Sequence, residues 1–181
     1  MEVLKMEYTN DVIKELITRR SCKSYTDQPV PQELIDQIVE CGLHAANLLG
    51  KQLPVILVVT DPDTRNRLSA LNAKYDRMKR PDPFYGAPVI LSVLSPKADP
   101  GAVEDGSLVI GNMLLAAHSL GLGSCWIHRA KQVFDDPEGI EILKRVGLDD
   151  NYVGIGNMAL GYARVQPDNI APRREGRVFR I

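Results

Sequence analysis

Apolar positions along this chain fall into two registers, and each predicts its own elements. In residues 11–18, Val12, Ile13, Leu16 and Ile17 recur at helical spacing on one face. Pro31 stands at a preferred first helical position, and Leu34, Ile35, Ile38 and Val39 continue the stripe, predicting a second helix to about residue 46. Residues 47–53 form a loop. Residues 54–60 (PVILVVT) and 87–95 (APVILSVLS) are unbroken apolar runs of strand length, the pattern of strands buried on both faces. Between them, Asp61-Pro62 is a helix cap followed by proline, opening a helix to about residue 76, and residues 78–83 are a polar loop.

Residues 103–120 predict the longest helix, and Leu108, Val109, Ile110, Met113, Leu114, Leu115 and Leu120 make it apolar on nearly all sides. Such a helix must be buried all round. In a short chain a second copy can supply the cover, and Gly106, Ser107, Gly111, Ala116 and Ala117 are small enough for close approach; cover by the chain itself is the alternative. Gly121 should stop this helix in a left-handed cap. Residues 122–128 (LGSCWIH) predict a strand, 137–145 a short helix and 153–162 a last core strand, while 172–181 has no core partner in sequence order. Strands interleave with helices, so the fold class is α+β or α/β with a central sheet packed by helices.

The 181 residues fit one domain spanning the whole chain, and a net charge of −1 argues against nucleic acid as a partner. No run is long enough to span a membrane, and residues 1–7 lack the apolar core of a signal peptide, so a soluble cytoplasmic protein without membrane partners is expected. The three cysteines, Cys22, Cys41 and Cys125, are odd in number and widely spaced, which excludes a disulfide scaffold or a zinc ribbon. No metal site is expected: the nearest candidate pair, Cys41 and His44, reads better as a packed thiol and a partly exposed imidazole.

Chemistry concentrates in Thr18-Arg19-Arg20-Ser21-Cys22-Lys23-Ser24-Tyr25. Three cations and neighbouring hydroxyls at the end of a helix make a phosphate clamp for one small ligand, or else a solvated helix end. A second basic run, Pro172-Arg173-Arg174-Glu175-Gly176-Arg177, closes the chain and can complete the clamp or remain a solvated tail. Gly121-Leu122-Gly123-Ser124 follows a helix instead of opening one, so it is no dinucleotide fingerprint; Gly123 and Ser124 can let a planar ligand lie against backbone N–H groups. Cys125 sits in an apolar strand and reads as core. With no protein-borne nucleophile or acid–base pair, an enzyme built on this chain needs a cofactor as its reactive centre.

These segments, in this order, resemble the nitroreductase family of FMN-dependent oxidoreductases. The family opening (two basic residues, Ser, any residue, a basic residue, any residue, an aromatic) stands as Arg19-Arg20-Ser21-Cys22-Lys23-Ser24-Tyr25. Residues 45–54, 82–88, 105–108, 116–127 and 154–162 and the tail Pro172-Arg173-Arg174 continue the likeness from about residue 10 to residue 181. The resemblance implies a nitroreductase-like α+β fold with a central mixed sheet, an intertwined homodimer, and FMN at the subunit interface. Arg19, Arg20, Ser21 and Lys23 would hold the phosphate and ribityl chain, and Arg173 and Arg174 would close on the phosphate. The loop with Asn47, Gly50 and Gln52 would come from the other subunit and border the flavin ring, and Ser124, Trp126, Ile127, His128 and Arg129 would line it.

The chain departs from the family pattern at Ala46-Asn47, where Pro-Ser is usual, at Gly50, where an Asn contacts the flavin, and at Val55, where an aromatic is frequent. Asn47 is the candidate replacement for the missing Asn. The implied activity is ping-pong electron transfer from NAD(P)H to a small nitroaromatic or quinone. Two alternatives stay open: an FMN-binding protein without turnover, serving as a flavin store or redox sensor, and a dimeric module that clamps another phosphorylated ligand.

Overall fold

The apolar runs pair with one another. In the computed structural model, which describes residues 9–167 and 171–181, the strands are β1 (Val55–Val59), β2 (Val89–Pro96), β3 (Gly123–Ile127) and β4 (Tyr152–Gly161). They form one four-stranded sheet in the order β1-β2-β4-β3. All three ladders are antiparallel, and parallel pairing enters only through an isolated bridge between Ser21 and Ser124, so the mixed character expected of the sheet is confined to that bridge among the described residues. Residues 1–7, read above for a signal peptide, and 168–170, within the family-like stretch, lie outside the described residues.

Six helices accompany the sheet among the described residues: α1 (Asp11–Thr18), α2 (Gln32–Leu43), α3 (Pro62–Lys74), α4 (Ala102–Ser119), α5 (Ala130–Asp135) and α6 (Pro137–Lys144). Period-2 alternation along β2 decides which pack where. Ile90 and Leu94 point into a core shared with Leu68, Phe134 and Leu143 of α3, α5 and α6. Val89, Leu91 and Val93 point into a second core with Ile35 and Ile38 of α2 and Val109, Ile110 and Met113 of α4.

Local signals held where they were local. Asp61 caps α3, its carboxylate accepting from Thr64 N at 2.9 Å with Pro62 in the first turn. Gly121 ends α4 at φ +75°, with Leu122 N donating to Ala117 O at 2.8 Å and Gly121 N to His118 O at 3.0 Å. Three expectations shift. Pro31 caps α2 instead of opening it, and the helix ends at Leu43, not residue 46. β1 is not buried on both faces: it is an edge strand, with Val58 exposed and Val55 and Ile56 half-buried. The short α5 was not expected, although Ala130, Val133 and Phe134 bury one face at helical spacing.

Two helices leave apolar surface uncovered by this chain. None of the residues of α1 is buried, and Val12 and Leu16 are 62% and 57% exposed. On the outer side of α4, Val103 and Leu108 are also exposed. Between α1, α2 and α4 runs an apolar groove of about 480 Å³, bordered by Val12, Cys41, Leu115 and Ala116.

Candidate active site

The basic segment leaves α1 and lies against β3. Cys22 N donates to Ser124 O at 2.9 Å, Thr26 N donates to Tyr162 O at 2.9 Å, and Tyr25 bridges Ala163. Tyr25 is buried and donates to Cys22 O at 2.9 Å; burial pushes its phenol far up, so it acts as a neutral peg. Gly123 permits this approach, because the Cys22 side chain fills the space a Cβ there would need. That close packing belongs to Cys22, so Gly123 is not free to seat a planar ligand as the sequence suggested.

The clamp residues are short of partners. Arg19 Nη1, Arg20 Nε and the Ser124 hydroxyl are buried without a hydrogen-bond partner. The rest of Arg20 is tied down, its Nη1 donating to Ile17 O at 2.7 Å and Arg19 O at 2.6 Å. Burial, then the neighbouring Arg20 charge, lowers the pKa of Arg19, the signature of a cation held without its anion. Buried unpaired donors are rare and call for a ligand that satisfies them. An anionic oxygen does so, with the strength of a charge-assisted bond.

At the far end of β3, Trp126, Ile127, His128 and Arg129 join Lys23 around a cavity of about 160 Å³. The Trp126 and His128 rings meet edge to face, 6.0 Å apart. Arg80 and Tyr85 complete the wall, and sequence reasoning missed both as site residues. The 82–88 segment had been recognised as family-like, and Asp76 and Arg80 stand at i, i+4, but nothing local tied either to β3.

A buried polar network fixes this wall. Asn72, fully buried, donates to His128 O at 2.9 Å and accepts from Arg129 Nε at 3.0 Å. Asp76, 2% exposed, accepts from Arg80 Nε at 2.6 Å and lies 3.4 Å from Arg129 Nη1. The Arg80 hydrogen bond, outweighing burial, holds the Asp76 carboxyl well below the usual carboxylate range. Arg80 also donates to the Tyr85 hydroxyl. Asp82 accepts from Arg65 at 2.6 Å, Ser69 Oγ at 2.7 Å and Gly86 N at 2.7 Å; burial alone would raise its pKa, but these bonds together lower it.

The remaining predicted residues lie elsewhere in one chain. Asn47 accepts from Gln52 N at 2.9 Å through Oδ1 and donates to Ala45 O at 3.2 Å, so its amide braces its own loop. The loop is pinned to α4, where Leu48 N donates to the buried Asp105 carboxylate at 2.9 and 3.0 Å. Leu49, Gly50 and Gln52 all have positive φ, and Leu49 is 82% exposed. Asn47 and Gln52 border a separate cavity of about 130 Å³ with no lining residue in common with the β3 cavity. Arg173 and Arg174 are exposed, and Arg173 donates to Ala171 O at 3.2 Å; no described contact brings either to Arg19. Among the described residues no cluster of three or more His, Cys, Asp or Glu is placed to hold a metal, and no helix is long and apolar enough to cross a membrane.

The profile of the nitroreductase family matches residues 16–82 and 69–162, a span holding both the clamp and the β3 cavity. The chain belongs to the nitroreductase family. Among its relatives is a protein of Methanothermobacter thermautotrophicus named for NADH dehydrogenase/NAD(P)H nitroreductase activity, 29% identical over 159 residues that cover 87% of this chain and 80% of that protein. The NADPH-flavin oxidoreductase of Vibrio harveyi is 26% identical over 91% of this chain and 70% of its own length. The crystal structure of a nitroreductase with bound FMN from Bacteroides fragilis superposes with a TM-score of 0.85 at 26% identity, covering 96% of this chain and 100% of that one.

Proposed function

We propose that this nitroreductase-family chain is an FMN-dependent oxidoreductase that takes electrons from NAD(P)H and passes them by a ping-pong cycle to a small acceptor such as a nitroaromatic or quinone. The observation that carries this is the pair of buried, unpartnered groups Arg19 Nη1 and Ser124 Oγ on adjoining segments. They fit the phosphate and ribityl end of FMN, the ligand in the Bacteroides fragilis structure.

When bound, FMN supplies the hydride chemistry that no side chain of this protein offers. The protein's contribution is orientation and charge. Arg19 and Ser21 hold the phosphate end, and the bonds from Cys22 N and Thr26 N fix that segment to the sheet. Lys23, at the cavity on β3, places a cation where negative charge accumulates on reduction, the logic of an oxyanion site. Trp126, with its ring edge against His128, forms an apolar wall that keeps water from the reacting face. Donor and acceptor use this cavity in turn, which makes the cycle ping-pong.

Two copies assemble the site in this reading. The uncovered Val12, Leu16 and Leu108 supply the interface, and the loop holding Gly50 and Gln52, remote from the β3 cavity of its own chain, borders the partner's flavin. Arg173 and Arg174 close on the phosphate.

The test is the absorption spectrum of the purified protein under nitrogen with NADH or NADPH. A flavin spectrum bleached by a donor and restored by a nitroaromatic or quinone is expected. A flavin that stays oxidised with both donors makes the protein a flavin store, and no flavin uptake at all overturns the assignment.

A further inference from the structure

Beyond Lys23, assigned above to the reduced flavin, the wall of the β3 cavity carries two further cations. Lys23, Arg80 and Arg129 all line it. Asp76 is the carboxylate that faces two of them, and it is shared: Arg80 Nε donates to it at 2.6 Å and Arg129 Nη1 lies 3.4 Å away. The next carboxylate along the chain, Asp82, is paired with Arg65 at 2.6 Å. Lys23 takes part in no ion pair among the described residues.

Arg80 is also positioned to act outward. A guanidinium has five N–H donors. Arg80 directs three of them, to the two Asp76 oxygens and the Tyr85 hydroxyl, and its side chain stays 30% exposed at the cavity mouth. The backbone around it is strained for this arrangement: Lys79, Tyr85 and Arg129 all have positive φ, at 52°, 58° and 78°. Strain at non-glycine residues persists only where the surroundings fix it, and it gathers at ligand sites. Here Lys79 N bonds the Asp76 carbonyl, Asp82 holds the turn at Tyr85 by accepting from Phe84 N and Gly86 N, and Asn72 holds Arg129.

From this geometry we infer that the cavity selects a redox partner carrying an anionic group, a carboxylate or phosphate, with Arg80 as the specificity-determining residue. The inference rests on the oxidoreductase assignment for its biological meaning, but its test does not. The anionic group belongs either to the electron acceptor or to the phosphates of the nicotinamide donor, and both place the same charge against Arg80.

The probes are 4-nitrobenzoate and its methyl ester, which differ in charge but present the same ring and nitro group. Trp126 is the single tryptophan of the chain and lines the cavity, so its fluorescence reports binding whether or not flavin is present. The acid should bind at least about fivefold more tightly than the ester at low salt, the size of one partly exposed charge contact. The preference should shrink as salt rises. Arg80→Gln should remove it and Arg80→Lys should restore most of it. In turnover, Arg80→Gln should raise KM for the acid more than KM for the ester. A raised KM for the nitrobenzoate assigns the charge to the acceptor; a KM raised for NADPH, and less for NADH, assigns it to the donor. Equal binding of acid and ester by the wild type, insensitive to salt, overturns the inference even if Arg80→Gln fails to fold. A protein that takes up no added FMN but still prefers the acid overturns the oxidoreductase assignment and keeps the anion site.

Discussion

Cys22 packs onto Gly123 so closely that a methyl group on the glycine would lie 2.8 Å from the sulfur and 2.9 Å from the Cys22 Cβ. This contact sets the separation between the clamp segment and β3. Gly123→Ala should therefore cost about 1–3 kcal/mol through overpacking and weaken FMN binding as the segment lifts. Adding Cys22→Gly, which removes both the sulfur and the Cβ, should return part of both losses. Thermal melts and FMN titration of the single and double variants check the coupling.

The unpartnered Arg19 donor predicts where cofactor affinity resides. Arg19→Ala should weaken FMN binding by about tenfold to a hundredfold, the range of a charge-assisted hydrogen bond. Fold stability should change little, since the side chain removed is half-buried and its buried Nη1 has no partner. Flavin fluorescence quenching gives the affinity and a melt of the flavin-free protein gives the stability.

Asp136 provides a pH test away from the site. Hydrogen bonds from Lys74 Nζ at 2.6 Å and the Tyr75 hydroxyl at 2.7 Å hold its carboxyl down at about 2. A depressed carboxylate stabilises the fold above its unfolded pKa of ~3.9, and the benefit is lost as pH falls through the folded value. Asp136→Asn keeps an oxygen to accept from Glu138 N, the α6 cap. It should melt below the wild type at pH 7, and the two curves should converge between about pH 4 and pH 2.

Leu108 is exposed on α4 and makes a probe of assembly. Leu108→Glu should leave the isolated chain as stable as before, because the side chain reaches water. It should split the proposed homodimer and lower FMN affinity with it. Sedimentation velocity at two protein concentrations, followed by flavin absorbance, distinguishes this from unfolding.

Helix ends were legible because their causes sit within a few residues. The Asp61-Pro62 start and the Gly121 stop are backbone chemistry readable in place. β2 was legible as fully buried, but β1 was not legible as an edge: the same apolar run of residues serves either position, and only the strand order tells them apart. α5 was hidden by its length, six residues between His128 and the Asp136 cap. In the site, Lys23, Trp126, Ile127, His128 and Arg129 were named from the family likeness, and the fold gathers them around one cavity. Asn72, Asp76 and Arg80 were opaque because the partners of Asn72 lie 56 and 57 residues away, and because Arg80 falls in the polar loop beyond the predicted helix end near Asp76, where no periodicity ties the two. Asn47 has a bracing role that no sequence signal announced, its amide bonding partners two and five residues along its own loop.

α1 runs directly into Arg19 while burying no residue of its own; its ties to α4 include the Thr18–His118 contact at 2.9 Å and the Glu15–His118 pair at 3.3 Å. The element that delivers the phosphate clamp is thus only weakly held by the rest of its chain. If a second copy covers it, capture of the cofactor and association of the subunits become linked equilibria, each strengthening the other by the same factor. Dilution then bleeds flavin from the protein, and surplus FMN drives separate chains together.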